Sequence, residues 1–413
     1  MRWLDTENAT TRGPIRLLFR LTQINFLHQF ILIAGLIGMG PQFDPKGWIH
    51  WPDSEELSIE FMRLLGAAQE GGSTISECFL AASRIDPKDE DSWYKEWKKL
   101  ADASNVRGSI AANRGYLLTA QSNWLRAVNY YQAAGFHFDS ADKRQQDLLA
   151  SMQTSARRYI ECLTPAGEAV EIPWLDGYPL EGYFLSAPAA SNRTPVVICI
   201  GEPGHPKEEF LYKTRYASNR GMSLLAVDLG TGVRFEKVVG RTDLEMAVGH
   251  VMDYLTTRRD VDERRIAILG DGSGSSFVAR GVALDPRFAA AVCDGGIWDL
   301  HERTFLMKRI SSCGAGIVAG NAYSRLAQKL RCPVLITFGE HGWLEADYVT
   351  SLFHQLKGNY RDVTLKIFKG SETAASQGHS DNPTLANEFI FDWLADRLGI
   401  DISQTLHRRA QVS

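Results

Sequence analysis

The stretch Arg265-Ile266-Ala267-Ile268-Leu269-Gly270-Asp271-Gly272-Ser273-Gly274 decides the fold of this chain. An apolar, strand-like run leads into a glycine-rich turn, and a helical pattern follows at once over residues 276–283. A strand that turns so sharply into a helix needs small residues, because strand and helix approach closely and the backbone is strained. The turn lacks the Lys-Ser/Thr pair of a phosphate-binding loop. It therefore predicts a tight strand–turn–helix unit rather than a phosphate site.

Short apolar runs alternate with helical patterns on both sides of this unit. Such continuous runs are typical of strands buried on both faces, and the helices between them imply right-handed parallel crossovers. The first two runs read as a hairpin. The pattern predicts a doubly wound, mostly parallel sheet of eight strands, with a site beyond the carboxyl ends of the strands. The predicted strands are residues 169–174, 180–185, 195–200, 222–227, 265–269, 289–293, 333–338 and 363–368.

Changes in the hydrophobic pattern along the sequence divide the chain into four segments. We expect an apolar helical segment over residues 1–51, a helical domain over 52–165, an α/β domain over 166–400 and a tail over 401–413. Amphipathic runs that begin at Glu60, Ser92 and Asn123 predict the helices of the second segment. Its aromatic residues are expected mainly in the core of that segment, with a few lining a substrate cavity: Trp93, Trp97, Trp124, Tyr130 and Tyr131.

Composition narrows the class of partner. The 413 residues are 44% hydrophobic and 23% charged, with a formal net charge of −4, so a globular protein is expected. This balance disfavours nucleic acid and anionic membranes as main partners and leaves a small organic substrate. The six cysteines are scattered without metal-ligand spacing, so we expect a reduced, cytoplasmic protein with neither metal nor cofactor.

The run Phe26 to Met39 is the one candidate for targeting. At about 14 residues, with His28 and Gln29 inside it, it is too short and too polar for a comfortable membrane span. A helix buried against the body or a second subunit is the favoured interpretation. An anchor on a membrane surface is the alternative.

A set of motifs spread from about residue 55 to 400 resembles one group of proteins. The chain is similar to α/β hydrolases, and within them to the pseudooxynicotine hydrolases of nicotine breakdown and to hydrolases encoded in fungal polyketide clusters. The resemblance implies the α/β-hydrolase fold, a helical cap over the active site and a homodimer. It rests on Ser92-Trp93-Tyr94, Asn129-Tyr130-Tyr131, Lys207-Glu208-Glu209, Asp228-Leu229-Gly230-Thr231-Gly232, Leu284-Asp285-Pro286-Arg287, Asp294-Gly295-Gly296, Gly378-His379 and Phe391-Asp392-Trp393-Leu394.

Carried over by position, the resemblance reveals a degenerate catalytic triad. Relatives read Gly-x-Ser-x-Gly, and their nucleophilic serine falls on Gly272. Their acid falls on Gly342, in the turn after the seventh strand. The histidine alone is retained, as His379, and suits proton transfer near neutral pH.

Several neighbouring residues could replace the missing groups. Ser273, and less so Ser275, are substitute nucleophiles, and Asp271 is a candidate acid or base or simply a favourable charge at a helix start. His379 could be oriented by Glu340, Glu345 or Asp347 from the loop that follows the seventh strand. Backbone N–H groups of Glu202 or Gly204 and of Ser273 are expected to form an oxyanion hole.

Three functions remain open at this stage. The first is an enzyme that holds a carbonyl-bearing, apolar, natural-product-like substrate and uses His379 for acid–base chemistry: cyclisation, isomerisation, elimination or C–C cleavage. The second is a hydrolase of an ester, amide or C–C bond. The third is a non-catalytic protein that binds a small molecule.

Overall fold

A computed structural model describes residues 55–188, 193–201, 205–229, 241–296, 330–342, 346–359 and 362–402. The predicted apolar segment, including the run from 26 to 39, lies outside these residues, and so does the tail beyond 402. No helix within the described ranges is long and apolar enough to cross a membrane. The first helices of the structure are α1 (Glu55–Gly66), α2 (Ile75–Ala82), α3 (Glu90–Asn113), α4 (Leu117–Ala134) and α5 (Lys143–Glu161).

Aromatic side chains form the core of this helical region. Trp93 and Trp97 on α3 lie one turn apart and are 1% and 0% exposed. The Trp97 ring packs against Tyr130 of α4, with 5.7 Å between centroids, and the Trp93 indole donates to the Ala133 carbonyl at 2.8 Å. The prediction of an aromatic core is therefore confirmed. Side-chain caps begin three of these helices, at Thr74 for α2, Asp89 for α3 and Asp142 for α5.

Eight strands form a single sheet in the described part of the chain. Their order is β1-β2-β4-β3-β5-β6-β7-β8; the pairs β1/β2 and β2/β4 are antiparallel and the others parallel. The predicted hairpin and mostly parallel sheet are confirmed. The strands are β1 (Glu168–Leu175), β2 (Tyr178–Leu185), β3 (Thr194–Ile200), β4 (Ser223–Val227), β5 (Val261–Asp271), β6 (Ala290–Asp294), β7 (Val334–Gly339) and β8 (Val363–Phe368).

Helices cover both faces of the sheet. Side chains alternate along a strand, so Val197 and Cys199 of β3 join one core cluster while Ile198 and Ile200 join the other. The first cluster also contains the aromatic core of α3 and α4, which places the helical region on that face. The remaining helices are α6 (Thr214–Asn219), α7 (Arg241–Thr257), α8 (Ser275–Leu284), α9 (Ala346–Asn359) and α10 (Pro383–Arg397).

The predicted strand–turn–helix unit lies at the centre of this sheet. Strand β5 ends at Asp271, a short 3₁₀ turn covers Gly272–Gly274, and α8 follows immediately. Gly272 has a φ of +54°, in the left-handed region that favours glycine. A Cβ on Gly274 would lie 2.8 Å from the Gly201 carbonyl oxygen after β3. The glycines are thus required by the close approach of backbone segments.

We predict that Gly274→Ala destabilises the protein by about 1–3 kcal/mol, because the added methyl overlaps backbone atoms that have little freedom to move. Gly249→Ala is the matched control. A Cβ at Gly249 on α7 would have no neighbour within 4 Å, so this change should raise stability by about 0.5–1 kcal/mol through helix propensity. Urea unfolding of the two variants measures both effects. Equal stability of the two variants would contradict the close approach at Gly274.

Candidate active site

Three polar residues form a row across the carboxyl ends of neighbouring strands. Asp271 of β5 is the register partner of Asp294 of β6, and Asp294 is the partner of Thr337 of β7. Partners in adjacent parallel strands point to the same face of the sheet. This row continues the face that carries Leu269 and Val292, which belong to the core cluster shared with the helical region. Two carboxylates therefore lie side by side beneath the helices.

His379 is fixed against the middle member of this row. It ends a 3₁₀ turn after β8 and is 3% exposed. Its Nε2 lies 3.0 Å from Asp294 Oδ1, and its Nδ1 lies 2.6 Å from the Ala374 carbonyl oxygen. A carbonyl can only accept, so Nδ1 carries a proton and is not the titrating atom. The exchangeable proton of the ring consequently lies between Nε2 and Asp294.

The His379–Asp294 pair is held as an ion pair. Burial alone would raise the pKa of Asp294, but the charge and hydrogen bond of His379 and a hydrogen bond from Thr337 lower it to about 2. Burial lowers the pKa of His379, but the charge and hydrogen bond of Asp294 outweigh it and raise the pKa above its usual value. At neutral pH the pair thus carries one proton that a substrate could receive.

Asp271 has the opposite character. Its side chain lies deep in the protein but keeps accessible surface, and none of the described residues hydrogen-bonds to its carboxylate. Burial raises the pKa of Asp271 to about 6; the Lys213 ammonium opposes this shift, and the charge of Asp294 adds to it. Two adjacent carboxylates with such different pKa values are typical of an acid–base pair.

Lys213 completes the charge balance of the site. It is 2% exposed and donates to Asn387 Oδ1 on α10 at 3.0 Å. Burial lowers the pKa of Lys213, but the neighbouring negative groups, among them Asp271 and Asp294, outweigh it and raise the pKa. The positive charges of Lys213 and His379 favour the ionised form of Asp271, whereas the carboxylates of Asp294 and Glu209 oppose it.

Gly272 lies directly beside the carboxylates. A Cβ on Gly295, the residue after Asp294, would lie 3.3 Å from the Gly272 Cα. Gly272, the position at which we expect the nucleophile of the relatives, is thus in contact with the segment that carries Asp294. Without a side chain at 272, the site offers proton donors and acceptors but no attacking group at this position.

The structure corrects the expectations for three supporting residues. Glu340 does not orient His379, because its Oε2 accepts from the backbone N–H of Gly370 at 2.9 Å. Asp347 is exposed on α9. Ser275 is fully buried and its hydroxyl donates to the carbonyl oxygens of Gly270 and Asp294, so it is a structural residue and not a nucleophile.

A further group of expectations cannot be placed. Glu345, the backbone of Glu202 and Gly204, and the side chain of Ser273 lie outside the described part of the structure. The oxyanion hole and the serine alternative therefore stay predictions. Within the described ranges, no group of three or more His, Cys, Asp or Glu side chains is arranged to hold a metal ion.

Asp294 is a candidate site residue that the sequence analysis does not identify. Its motif, Asp294-Gly295-Gly296, contributes to the resemblance, but the resemblance predicts the acid after the seventh strand, at Gly342. That position is crowded: a Cβ there would lie 3.0 Å from the Gly339 carbonyl oxygen and 3.0 Å from the Phe338 ring, so a side chain would require these neighbours to shift by a few tenths of an ångström. The position of Asp294 in the sequence could have identified it, because Asp228, Asp271 and Asp294 each lie at the carboxyl end of a parallel strand, where a site is expected.

Comparison with known proteins agrees with this architecture. The family model described as "Esterase FrsA-like" matches residues 88–309, which is more than half of the chain. The chain belongs to the FrsA-like esterase family. The crystal structure of 2,6-dihydroxy-pseudo-oxynicotine hydrolase covers 81% of the chain and 95% of its own, with a TM-score of 0.66 and 22% identity, and so shares the α/β-hydrolase fold.

Curated relatives of this FrsA-like chain are named as fungal hydrolases. The chain is 31% identical over 266 residues to the hydrolyase poxO of Penicillium oxalicum, over 60% of the chain and 62% of that protein. It is 32% identical over 268 residues to the 20-hydroxy-prefusarin hydrolase of Gibberella moniliformis, over 61% and 63%. The matches thus span about three fifths of the relatives' length.

The raised pKa of Asp271 predicts a cost in stability. Between pH 4 and about 6 the folded protein binds a proton at Asp271 that the unfolded chain has lost, so stability falls as pH rises through this window. We expect Asp271→Asn to be more stable than the native protein at pH 7.5 by about 1–2 kcal/mol, a difference that vanishes near pH 4. Thermal unfolding across pH measures it, with Asp347→Asn as the exposed control. A destabilised Asp271→Asn variant at pH 7.5 would contradict the assignment.

The His379–Asp294 contact predicts a change in the titration of the imidazole. Asp294→Asn removes the negative charge that raises the pKa of His379, while the burial that lowers this pKa remains. The pKa of His379 should therefore fall below its value in the native protein. The matched control is Glu340→Gln, which removes the carboxylate that bonds Gly370 and should leave the titration of His379 unchanged. Proton–carbon NMR of the imidazole, assigned with His379→Ala, measures both. The reverse pattern would show that Glu340 supports the histidine.

Proposed function

We propose that this protein is an enzyme that moves protons on a carbonyl-bearing, largely apolar small molecule, with Asp271 as base and the His379–Asp294 pair as acid. The observation that supports it most is the pair of register-partner carboxylates at the carboxyl ends of β5 and β6, one bonded to His379 and the other without a hydrogen-bond partner among the described residues. The helical region on the same face would form the cap over the substrate.

The reaction would begin with a proton next to the carbonyl. Asp271, ionised at neutral pH, takes a proton from the carbon beside the carbonyl group, and the C–H electron pair moves into an enolate. The proton shared by His379 and Asp294 then passes to the substrate, either to the enolate oxygen or to a leaving group. The site is restored when Asp271 gives its proton to solvent or product and the His379–Asp294 pair regains one from solvent or from the product hydroxyl. Cyclisation, isomerisation and elimination share this first step. In C–C cleavage Asp271 would instead take the proton of a hydroxyl group, and the breaking C–C bond would supply the electron pair of the enolate.

The pKa values suit this division of roles. A base is most effective when its pKa lies near the working pH, and the pKa of Asp271 is about 6. The acid must hold a proton at that pH, and the raised pKa of His379 provides one. The charges of Lys213 and His379 would also stabilise the negative charge that develops on the substrate.

Hydrolysis of an ester, amide or C–C bond is the second candidate function. The family name and the names of the relatives favour it, and Ser273 or a water molecule activated by His379 would have to act in place of a serine at 272. Two contacts weaken it: Nε2, which would take the proton from a nucleophile, already faces Asp294, and Ser275 is bonded to the main chain. A non-catalytic binding protein is the third candidate. A natural-product-like substrate, a homodimer and a cytoplasmic location also stay predictions.

Proton exchange tests the proposal without knowledge of the natural substrate. We expect the native protein to accelerate deuterium incorporation beside the carbonyl of apolar ketones such as 2-tetralone in heavy water, followed by NMR. Asp271→Asn should lose the acceleration, because an amide cannot accept the proton. Loss of about a hundredfold or more is expected for removal of a general base.

Asp347→Asn is the control for this assay, since that carboxylate is exposed on α9 and should not affect exchange. Exchange no faster than in buffer across the ketone panel would refute the proposed chemistry. Retention of every measurable activity by His379→Ala would favour the binding role instead.

Restoring the serine separates proton transfer from hydrolysis. We predict that Gly272→Ser gains less than about tenfold in the hydrolysis of a chromogenic short-chain ester, because His379 Nε2 faces Asp294 rather than position 272. Covalent labelling with a serine-directed phosphonate identifies a nucleophilic serine directly. Labelling of the native protein at Ser273, or strong esterase activity of Gly272→Ser, would support the hydrolase alternative.

A further inference from the structure

One 3₁₀ helix, Lys207–Lys213, presents a single accessible edge. Five of its seven residues are buried, and only Glu209 and Tyr212 keep accessible surface. In a 3₁₀ helix, side chains three positions apart lie above one another. Glu209 and Tyr212 therefore share one face of the helix.

This face borders the boundary between the helical region and the sheet. The Glu209 carboxylate accepts a hydrogen bond from Gln132 Nε2 of α4 at 2.8 Å. Glu209 also contributes to raising the pKa of Asp271, which places the same edge near the candidate base. Tyr212 is thus directed to the space beneath the helices rather than to the outer surface.

The hydroxyls of Tyr212 and of Tyr159 on α5 differ from those of the other buried tyrosines described. Buried tyrosine hydroxyls normally find a hydrogen-bond partner. Tyr130, Tyr131 and Tyr183 follow this rule, with carboxylate oxygens at 2.8, 2.8 and 2.7 Å. No described residue bonds the Tyr212 hydroxyl, although the side chain lies deep in the protein.

The surroundings of Tyr212 are those of the candidate site. The Lys213 ammonium lies 5.4 Å from the centre of its ring. Burial raises the pKa of Tyr212, Lys213 opposes the shift, and the charges of Asp271 and Asp294 add to it. The hydroxyl therefore keeps its proton at neutral pH and can donate it in a hydrogen bond.

We propose that Tyr212 is a catalytic residue whose hydroxyl donates a hydrogen bond to the carbonyl oxygen of the substrate. It rests on the proposed function: Asp271 removes the neighbouring proton, and Tyr212 stabilises the negative charge that develops on the oxygen. No covalent bond to Tyr212 forms. The substrate class is accordingly an enolisable ketone or 1,3-dicarbonyl compound whose oxygen reaches the accessible edge of the 3₁₀ helix.

Phenolate binding tests this role directly, because a phenolate oxygen carries the charge of an enolate. The probe is 4-nitrophenolate, followed by its visible absorbance, and nitrobenzene is the neutral analogue without the oxygen. Tyr212→Phe should weaken phenolate binding about ten- to a hundredfold, as expected for one hydrogen bond to a charged acceptor, and leave nitrobenzene binding unchanged. Tyr116→Phe, which alters a tyrosine that is 60% exposed, should change neither.

The outcomes separate this proposal from the proposed function. Equal phenolate affinity of Tyr212→Phe and the native protein, or absence of phenolate binding by the native protein, would overturn the role of Tyr212 even where ketone exchange is accelerated. Loss of phenolate binding but not of nitrobenzene binding in Tyr212→Phe would support the role of Tyr212. If the native protein also failed to accelerate ketone exchange, that result would refute only Asp271 as the base. A fall in nitrobenzene binding equal to that of phenolate would show a packing role and overturn the proposal.

Discussion

The pairing register of β5 with β6 is the constraint on which the candidate site depends. It sets Asp271 and Asp294 side by side at the carboxyl ends of two central strands, on the face covered by the helices. Two carboxylates in one interior site cannot both have ordinary pKa values. The protein separates them by environment, because His379 and Thr337 bond Asp294 while Asp271 is left without a hydrogen-bond partner among the described residues. A shift of one residue in this register would move one carboxylate to the opposite face.

The protein has the α/β-hydrolase fold, and we propose that its chemistry departs from hydrolysis at two glycines. At Gly272 the turn retains the left-handed backbone of a nucleophile elbow without a nucleophile. At Gly342 the turn is crowded, and His379 contacts the carboxylate of Asp294 at the end of β6. Lys213 supplies a second positive charge beside His379, which offsets part of the negative charge of Asp271, Asp294 and Glu209. Such a balance suits proton transfer between fixed groups, which needs charge compensation but no covalent intermediate.

The fold followed from the sequence because apolar runs, breakers and the glycine-rich turn are local signals. All eight strands were predicted to within a few residues, and Asp271 and His379 were named as site residues. Asp294, Lys213 and Tyr212 were not named. The proposed roles of Asp294 and Lys213 depend on contacts with residues far away in the sequence, His379 and Asn387. The proposed role of Tyr212 depends on its place at the accessible edge of a buried 3₁₀ helix, which no hydrophobic pattern in the sequence indicates. The prediction that Glu340 orients His379 was wrong. Glu340 is close in sequence to the expected position of the acid, but its carboxylate accepts a hydrogen bond from the backbone N–H of Gly370 instead.

The most direct test of the account is a carbon NMR titration of the side-chain carboxyl groups of Asp271 and Asp294 in the native protein, assigned with Asp271→Asn and Asp294→Asn. The account predicts two separate transitions, one near pH 6 for Asp271 and one near pH 2 for Asp294. In Asp294→Asn the Asp271 transition should move to lower pH, because the neighbouring negative charge is gone. Two transitions near pH 4, each unaffected by loss of the other residue, would contradict the central claim that these carboxylates form one divided acid–base site.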